Sequence, residues 1–257
     1  MSDVGLLLRQ VTYTNKTFWR NPASAFFTFV FPLLFLVIFT TLLGNGEARI
    51  GGDVIRISTY YVAAQGAFGL ISACFTNIAL SIVFARDKGV LKRVRGTPLP
   101  PWVFLTARVV HSTLIALILV AITVAFGAVF YDASVPTGAA LGQFVATLLV
   151  GAACFSALGL AVSGLVPNAD AGPPIVNAII LPLLFLSGVF IPFDDTTPSW
   201  VEVVGNIFPV RHLVDAMRDS YLGLTGAFAW SDLGVMAIWA VVGVAVATRT
   251  FRWEPSR

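Results

Sequence analysis

Residues 84–101 read FARDKGVLKRVRGTPLPP, a strongly charged run inside a chain that is otherwise mostly apolar. Arg86, Lys88, Lys92, Arg93 and Arg95 fall within it, Arg108 lies just beyond, and only Asp87 opposes them. Apolar segments long enough to cross a bilayer flank the run on both sides. Lys and Arg resist translocation, so a basic loop between two spans belongs on the cytoplasmic face. This stretch therefore sets the expected topology of the whole chain.

Composition agrees. Of 257 residues 57% are hydrophobic and 11% charged, with a mean hydropathy of +0.87. A soluble domain carries roughly 25% charged residues, so one aqueous core cannot hide this much apolar surface. The fold class is all-α, a polytopic membrane protein. The net charge of +3 does not point to nucleic acid, because the bases sit in a few short loops where topology accounts for them. Cys74 and Cys154 lie in apolar segments, with no disulfide framework and no metal-ligand spacing. The N-terminus lacks the pattern of a cleaved signal and reads as mature protein. Val4, Leu7, Leu8, Val11 and Phe18 recur there at helical spacing, predicting an amphipathic surface helix over residues 1–22.

Six spans are expected, at about 23–44, 58–84, 102–130, 138–166, 173–191 and 233–248, with Pro32 and Pro182 inside the first and fifth. Residues 192–230 are polar and rich in Asp and Glu, an external composition. Ser199 and Glu202 have capping-box spacing ahead of a short helix through Trp200, which Pro209 stops; a second helix, 210–222, follows. Arg211 and Arg218 are expected to pair with Asp215, Asp219 or Asp195. The N-terminal segment, the loop after span two and the tail (residues 251–257) hold nearly all the bases, placing both termini in the cytoplasm.

Within residues 86–97, Val90, Leu91 and Val94 share one helical face and Lys88, Lys92 and Arg95 another, with Gly96 and Pro98 ending the helix. Such a helix suits a protein groove, a solvated loop or an anionic lipid surface. Gln65, Asn77 and Asn177 are polar at membrane depth and must face protein or water, as interhelical partners or substrate contacts. Phe27, Phe31 and Phe35 repeat every four residues, as a lipid-facing stripe or an apolar path. Arg108 and His111 sit near a span end, where structural roles suffice. Ser163-Gly164 and Ser187-Gly188 lack the glycine and histidine partners of an intramembrane protease, and no metal-ligand cluster occurs, so an enzyme is disfavoured. An ion-coupled secondary transporter or channel is the stronger rival. Such proteins place charges at mid-membrane, whereas the acidic residues here lie in loops or at span ends.

Three features taken in order resemble the membrane subunit of a type-2 ABC exporter of the bacterial drug-resistance kind. They are residues 85–93 (ARDKGVLKR) with Thr97-Pro98, the run Leu181-Pro182 with Leu186 to Pro192, and Pro198 through Pro209 with Leu213 to Arg218. They look like that family's coupling helix, the end of its fifth span and its external re-entrant hairpin, here 192–230. Asp87 stands where relatives more often carry Glu, keeping the charge with a shorter reach. The resemblance implies a two-copy permease, homodimeric or with a related chain, in a bacterial plasma (inner) membrane. Its translocation path is lined by spans one, two and five. It implies a separate cytoplasmic ATPase that holds ATP and Mg, docked through Arg86, Asp87, Lys88, Gly89, Leu91, Lys92, Arg93 and Arg95. This chain has no phosphate-binding loop and needs no cofactor of its own. The implied substrate is a small amphipathic drug, natural product or lipid-like compound, a lipid-linked glycan being the variant. In the hairpin the resemblance singles out Trp200, Pro209, Arg211 and Arg218.

Overall fold

The structure is a computed structural model and describes residues 3–50, 53–193, 197–224 and 228–254. Asp195 and the last three residues of the tail, invoked above, lie outside the described residues. Helix α1 (Asp3–Trp19) is the surface helix, and it packs on α6 through the buried Phe18. The Asn21 side chain accepts from the Ser24 N–H at 3.3 Å and Pro22 takes the first helical position, so α2 (Pro22–Leu43) starts abruptly. A short antiparallel hairpin of β1 (Glu47–Ile50) and β2 (Asp53–Arg56) then forms where a plain loop is expected.

The second span is continuous from Ile57 to Asp87 but is not one α-helix. It consists of α3 (Ile57–Ile71), a π-helical turn (Ser72–Thr76) and α4 (Asn77–Asp87). A left-handed Gly89 (φ 67°) breaks the chain before α5 (Val90–Arg95). The predicted helix over 86–97 is thus corrected. Arg86 and Asp87 end the span, and the separate helix has six residues. Helices α6 (Pro101–Tyr131) and α7 (Ala139–Leu165) follow.

Five helices in the described residues are long and apolar enough to cross a membrane. The segment expected as the fifth span is α8 (Gly172–Phe185), whose 14 residues cover about 21 Å of a ~30 Å hydrocarbon core. A non-helical turn through Gly188 (φ 81°) completes its course. Helices α9 (Ser199–Gly205) and α10 (Pro209–Leu222) form the hairpin, and α11 (Trp230–Thr250) closes the fold.

The capping box does not form. Pro198 occupies the cap position, no side chain caps α9, and Pro209 opens α10 instead of merely ending its predecessor. The face of Leu213, Val214, Met217 and Tyr221 is buried, and α10 packs on α7, α11 and α3. This seats α10 among the spans rather than on their surface.

Candidate coupling surface and translocation face

At the α5 end, Leu91 is fully buried in a cluster with Ile78, Ile82, Ala85 and Phe104. The apolar ridge of Val90, Leu91 and Val94 therefore does not point outward as one surface. Leu91 is spent on the chain's own core, Val94 is half-buried, and only Val90 is exposed. What α5 presents is charge, since Lys88, Lys92, Arg93 and Arg95 are all exposed. Arg93 Nη2 donates to the Lys88 carbonyl at 3.2 Å, and the Thr97 hydroxyl donates to Val94 O at 2.7 Å, closing the helix.

Arg86 departs from the expected coupling set because it is 2% exposed. Its Nη1 donates to Ser163 O at 3.0 Å and its Nη2 to Val166 O, so a cation from α4 caps the C-terminus of α7. Asp87 Oδ2 accepts from the Ala169 N–H at 2.6 Å, tying the next connection to the same point. Both residues fasten spans together. Nearby, Arg108 donates to Ser81 Oγ at 2.9 Å and lies 4.7 Å over the Phe104 ring, while His111 meets Phe18 edge-on at 5.6 Å.

On α2, Phe27, Phe31 and Phe35 are not a lipid stripe alone. Phe27 is 64% exposed, but Phe31 and Phe35 lie 6.0 and 6.1 Å from Phe68 of α3, and Phe35 lies 5.4 Å from Phe190 beyond α8. Phe39 stacks on Tyr61 at 4.9 Å with the rings 7° apart. First, second and fifth apolar segments thus meet in one uncharged aromatic wall. Tyr61, Phe68 and Phe190 are missed by pattern reading, since no spacing links three distant segments. The turn after α8 is held by hydroxyls of α3, with Tyr60 donating to Gly188 O at 2.5 Å and Tyr61 to Phe190 O at 3.0 Å. Removing either hydroxyl as Tyr60→Phe or Tyr61→Phe is expected to cost about 1 kcal/mol. Hydrogen exchange at 186–191 should rise in each variant while α7 stays unchanged.

The polar candidates are not brought together. Gln65 is fully buried on α3, and neither its Oε1 nor its Nε2 has a partner among the described residues. Asn77 is half-buried at the start of α4, whereas Asn177 is exposed on α8 in one stripe with Leu181 and Phe185.

In the hairpin, Arg211 donates to Asp215 Oδ2 at 3.3 Å and to Glu202 O at 3.3 Å, and sits 4.7 Å over Phe193. Arg218 reaches Asp215 at 3.2 Å and Asp219 at 2.9 Å. Burial pushes the Asp215 carboxyl above its usual range, with Arg218 and then Arg211 pulling it back. Trp200 is exposed, and Pro209 is buried at the start of α10. Sequence reading assigns no role to His212. Its Nδ1 lies 2.6 Å from Asp232 Oδ1 and its Nε2 2.9 Å from Asn206 O, joining α9, α10 and α11.

The ABC-2 type transporter family matches residues 7–222, from the surface helix to the end of α10. The chain belongs to this family. Its relatives include YvfS of Bacillus subtilis (strain 168), which bears a transport-permease name and is 21% identical over 91% of each chain. The daunorubicin resistance ABC transporter permease protein DrrB1 of Streptomyces coeruleorubidus is 24% identical over 91% of this chain and 80% of its own. The probable multidrug ABC transporter permease YbhR of Escherichia coli (strain K12) is 24% identical over 68% of this chain. The chain spans about half the length of YbhR, 47%. This chain is accordingly a membrane permease subunit of an ABC transporter. The basic rim of α5 and the aromatic wall formed by α2, α3 and the turn after α8 are the candidate surfaces of this chain.

Proposed function

We propose that this permease is the translocation subunit of an ATP-driven exporter, coupled through Lys88, Lys92, Arg93 and Arg95 to a separate cytoplasmic ATPase that binds ATP and Mg. The observation that carries this is the construction of α5. Leu91 anchors it in the α4–α6 cluster, Gly89 sets its direction, and its exposed edge is basic. Displacement of that edge would reach the spans directly, because Arg86 and Asp87 join α4 to the end of α7.

Export of an amphipathic drug, natural product or lipid-like compound is the reading that suits the uncharged aromatic wall and the names of DrrB1 and YbhR. A second copy of the permease would stand against α2 and α8, since Asn177 is exposed at membrane depth and a polar group there must face protein or water. The assigned place is a bacterial plasma (inner) membrane with both termini cytoplasmic, which puts the hairpin outside.

Charge reversal tests the coupling directly. In the double variant Lys92→Glu, Arg93→Glu, both sites being exposed, insertion should be unchanged while efflux of an amphipathic dye falls by about tenfold or more. The ATPase should also stop co-purifying. Unchanged efflux would remove α5 from the coupling surface, and retention of a proton-dependent efflux without any ATPase would favour a secondary transporter.

A further inference from the structure

Two cavities are lined by successive stretches of α7 and α11, one by residues 155–162 and 239–246 and the other by residues 164–165 and 249–250. The first, about 220 Å³, is lined only by apolar residues, among them Phe75, Phe155, Ile180, Trp239 and Val246. The second, about 320 Å³, is lined by Arg86, Arg249 and Arg252 with residues 164–167 and 250–251. On α11, Trp239, Val242, Val246 and Arg249 follow at intervals of three or four residues and so share one face. Val246 and Arg249 are about 4.5 Å apart along the axis, so the apolar compartment gives way to the basic one within a turn.

We propose that the seam between α7 and α11 binds one anionic phospholipid, its phosphate among Arg86, Arg249 and Arg252 and one acyl chain in the apolar cavity. Neither compartment alone selects this occupant. A free anion gains nothing from the apolar cavity, and an uncharged apolar molecule leaves the guanidiniums unmatched. An amphiphile with an anionic head satisfies both. The carbonyl ends of α7 and α11 oppose an anion here, but Arg86 already answers that of α7. Arg86 spends both Nη groups on the α7 carbonyls and its Nε–H is buried, so it lends the basic cavity charge, while the exposed Arg249 and Arg252 supply the free donors. Asp87 beside Arg86 and Glu254 near Arg252 are the carboxylates closest in sequence; Asp87 Oδ2 is engaged by the Ala169 N–H, and Glu254 is exposed. No acidic residue lines either cavity. Basic pockets between membrane helices are suited to lipid phosphate. The site rests on the family assignment only for the presence of a bilayer, and not on the coupling role of α5.

Native mass spectrometry of the full chain, released from phosphatidylcholine nanodiscs containing a minor fraction of phosphatidylglycerol, reads the occupant. Phosphatidylglycerol should be retained over phosphatidylcholine, and the Arg249→Gln, Arg252→Gln pair, both exposed positions, should lower that retention about twentyfold. Val246→Trp, which fills the apolar cavity and keeps every arginine, should lower it too. Equal retention of the two lipids, or full retention in either variant, would overturn the two-part site. Displacement of phosphatidylglycerol by inorganic phosphate alone would mark a free-anion site and overturn it as well.

Discussion

Replacing Gly159 with leucine is expected to prevent the permease from folding, with the monodisperse fraction on size exclusion falling to near background. Gly159 lies on α7 where that helix crosses the π-helical turn of the second span. A Cβ there would sit 2.7 Å from the Phe75 carbonyl oxygen and 3.0 Å from that of Cys74. The obstruction is backbone, which cannot swing aside as a flexible side chain can. Inserted methylenes in a packed interior normally cost up to ~3 kcal/mol, and a backbone obstruction lies at or above that level. Small residues are what let membrane helices approach this closely. Gly142, also on α7, has nothing within 4 Å of the same added atom, so Gly142→Leu should leave yield and elution unchanged. Equal behaviour of the two variants would show that the α7 crossing is looser than described.

Arg86→Met is expected to lower stability by about 2–4 kcal/mol, seen as a lower midpoint in detergent thermal unfolding. The change keeps length and apolar stem but deletes two charge-assisted donors, each worth roughly 1.5–3 kcal/mol before the relief of removing a buried cation is subtracted. Ser163 O and Val166 O would then lose the cap that reaches them from α4. Arg86→Lys should recover part of the loss, because an ammonium supplies charge without the fork that serves both carbonyls. Arg93→Met, at an exposed position, is the matched control and should shift the midpoint little. A midpoint unchanged by Arg86→Met would mean that the α7 end is held elsewhere.

Much of this architecture is legible in the residues themselves. The basic run 84–101, between apolar segments, marks the connection that carries α5. The stripe from Val4 to Phe18 marks α1, and Leu213, Val214, Met217 and Tyr221 mark the buried face of α10. The parts that escape reading are those made by distant segments. Phe35 shows its four-residue rhythm, but nothing local says that Phe68 and Phe190 complete its surroundings. Arg86 looks like one more loop cation, because charge alone does not tell a solvated arginine from one that caps another helix. His212 and Asp232 are separated by a helix end and a turn, so their meeting is invisible along the chain. The π-helical turn has no apolar rhythm of its own, and α7 packs closely against it at Gly159.

That turn also sets the angular phase of the second span. The extra residue taken up at Ser72–Thr76 sets everything downstream back by roughly 100° about the helix axis relative to an uninterrupted α-helix. Tyr60, Tyr61 and Phe68 precede the offset, and Arg86 follows it. The two halves of one rod are thereby aimed independently, one toward the aromatic wall and the other toward the end of α7. Deleting one residue within the offset would be absorbed there by reversion to α-helix, whereas deleting one in α4 between the offset and Arg86 would not be. The second deletion would turn Arg86 away from the α7 carbonyls, much as a cam mounted one notch out misses its follower.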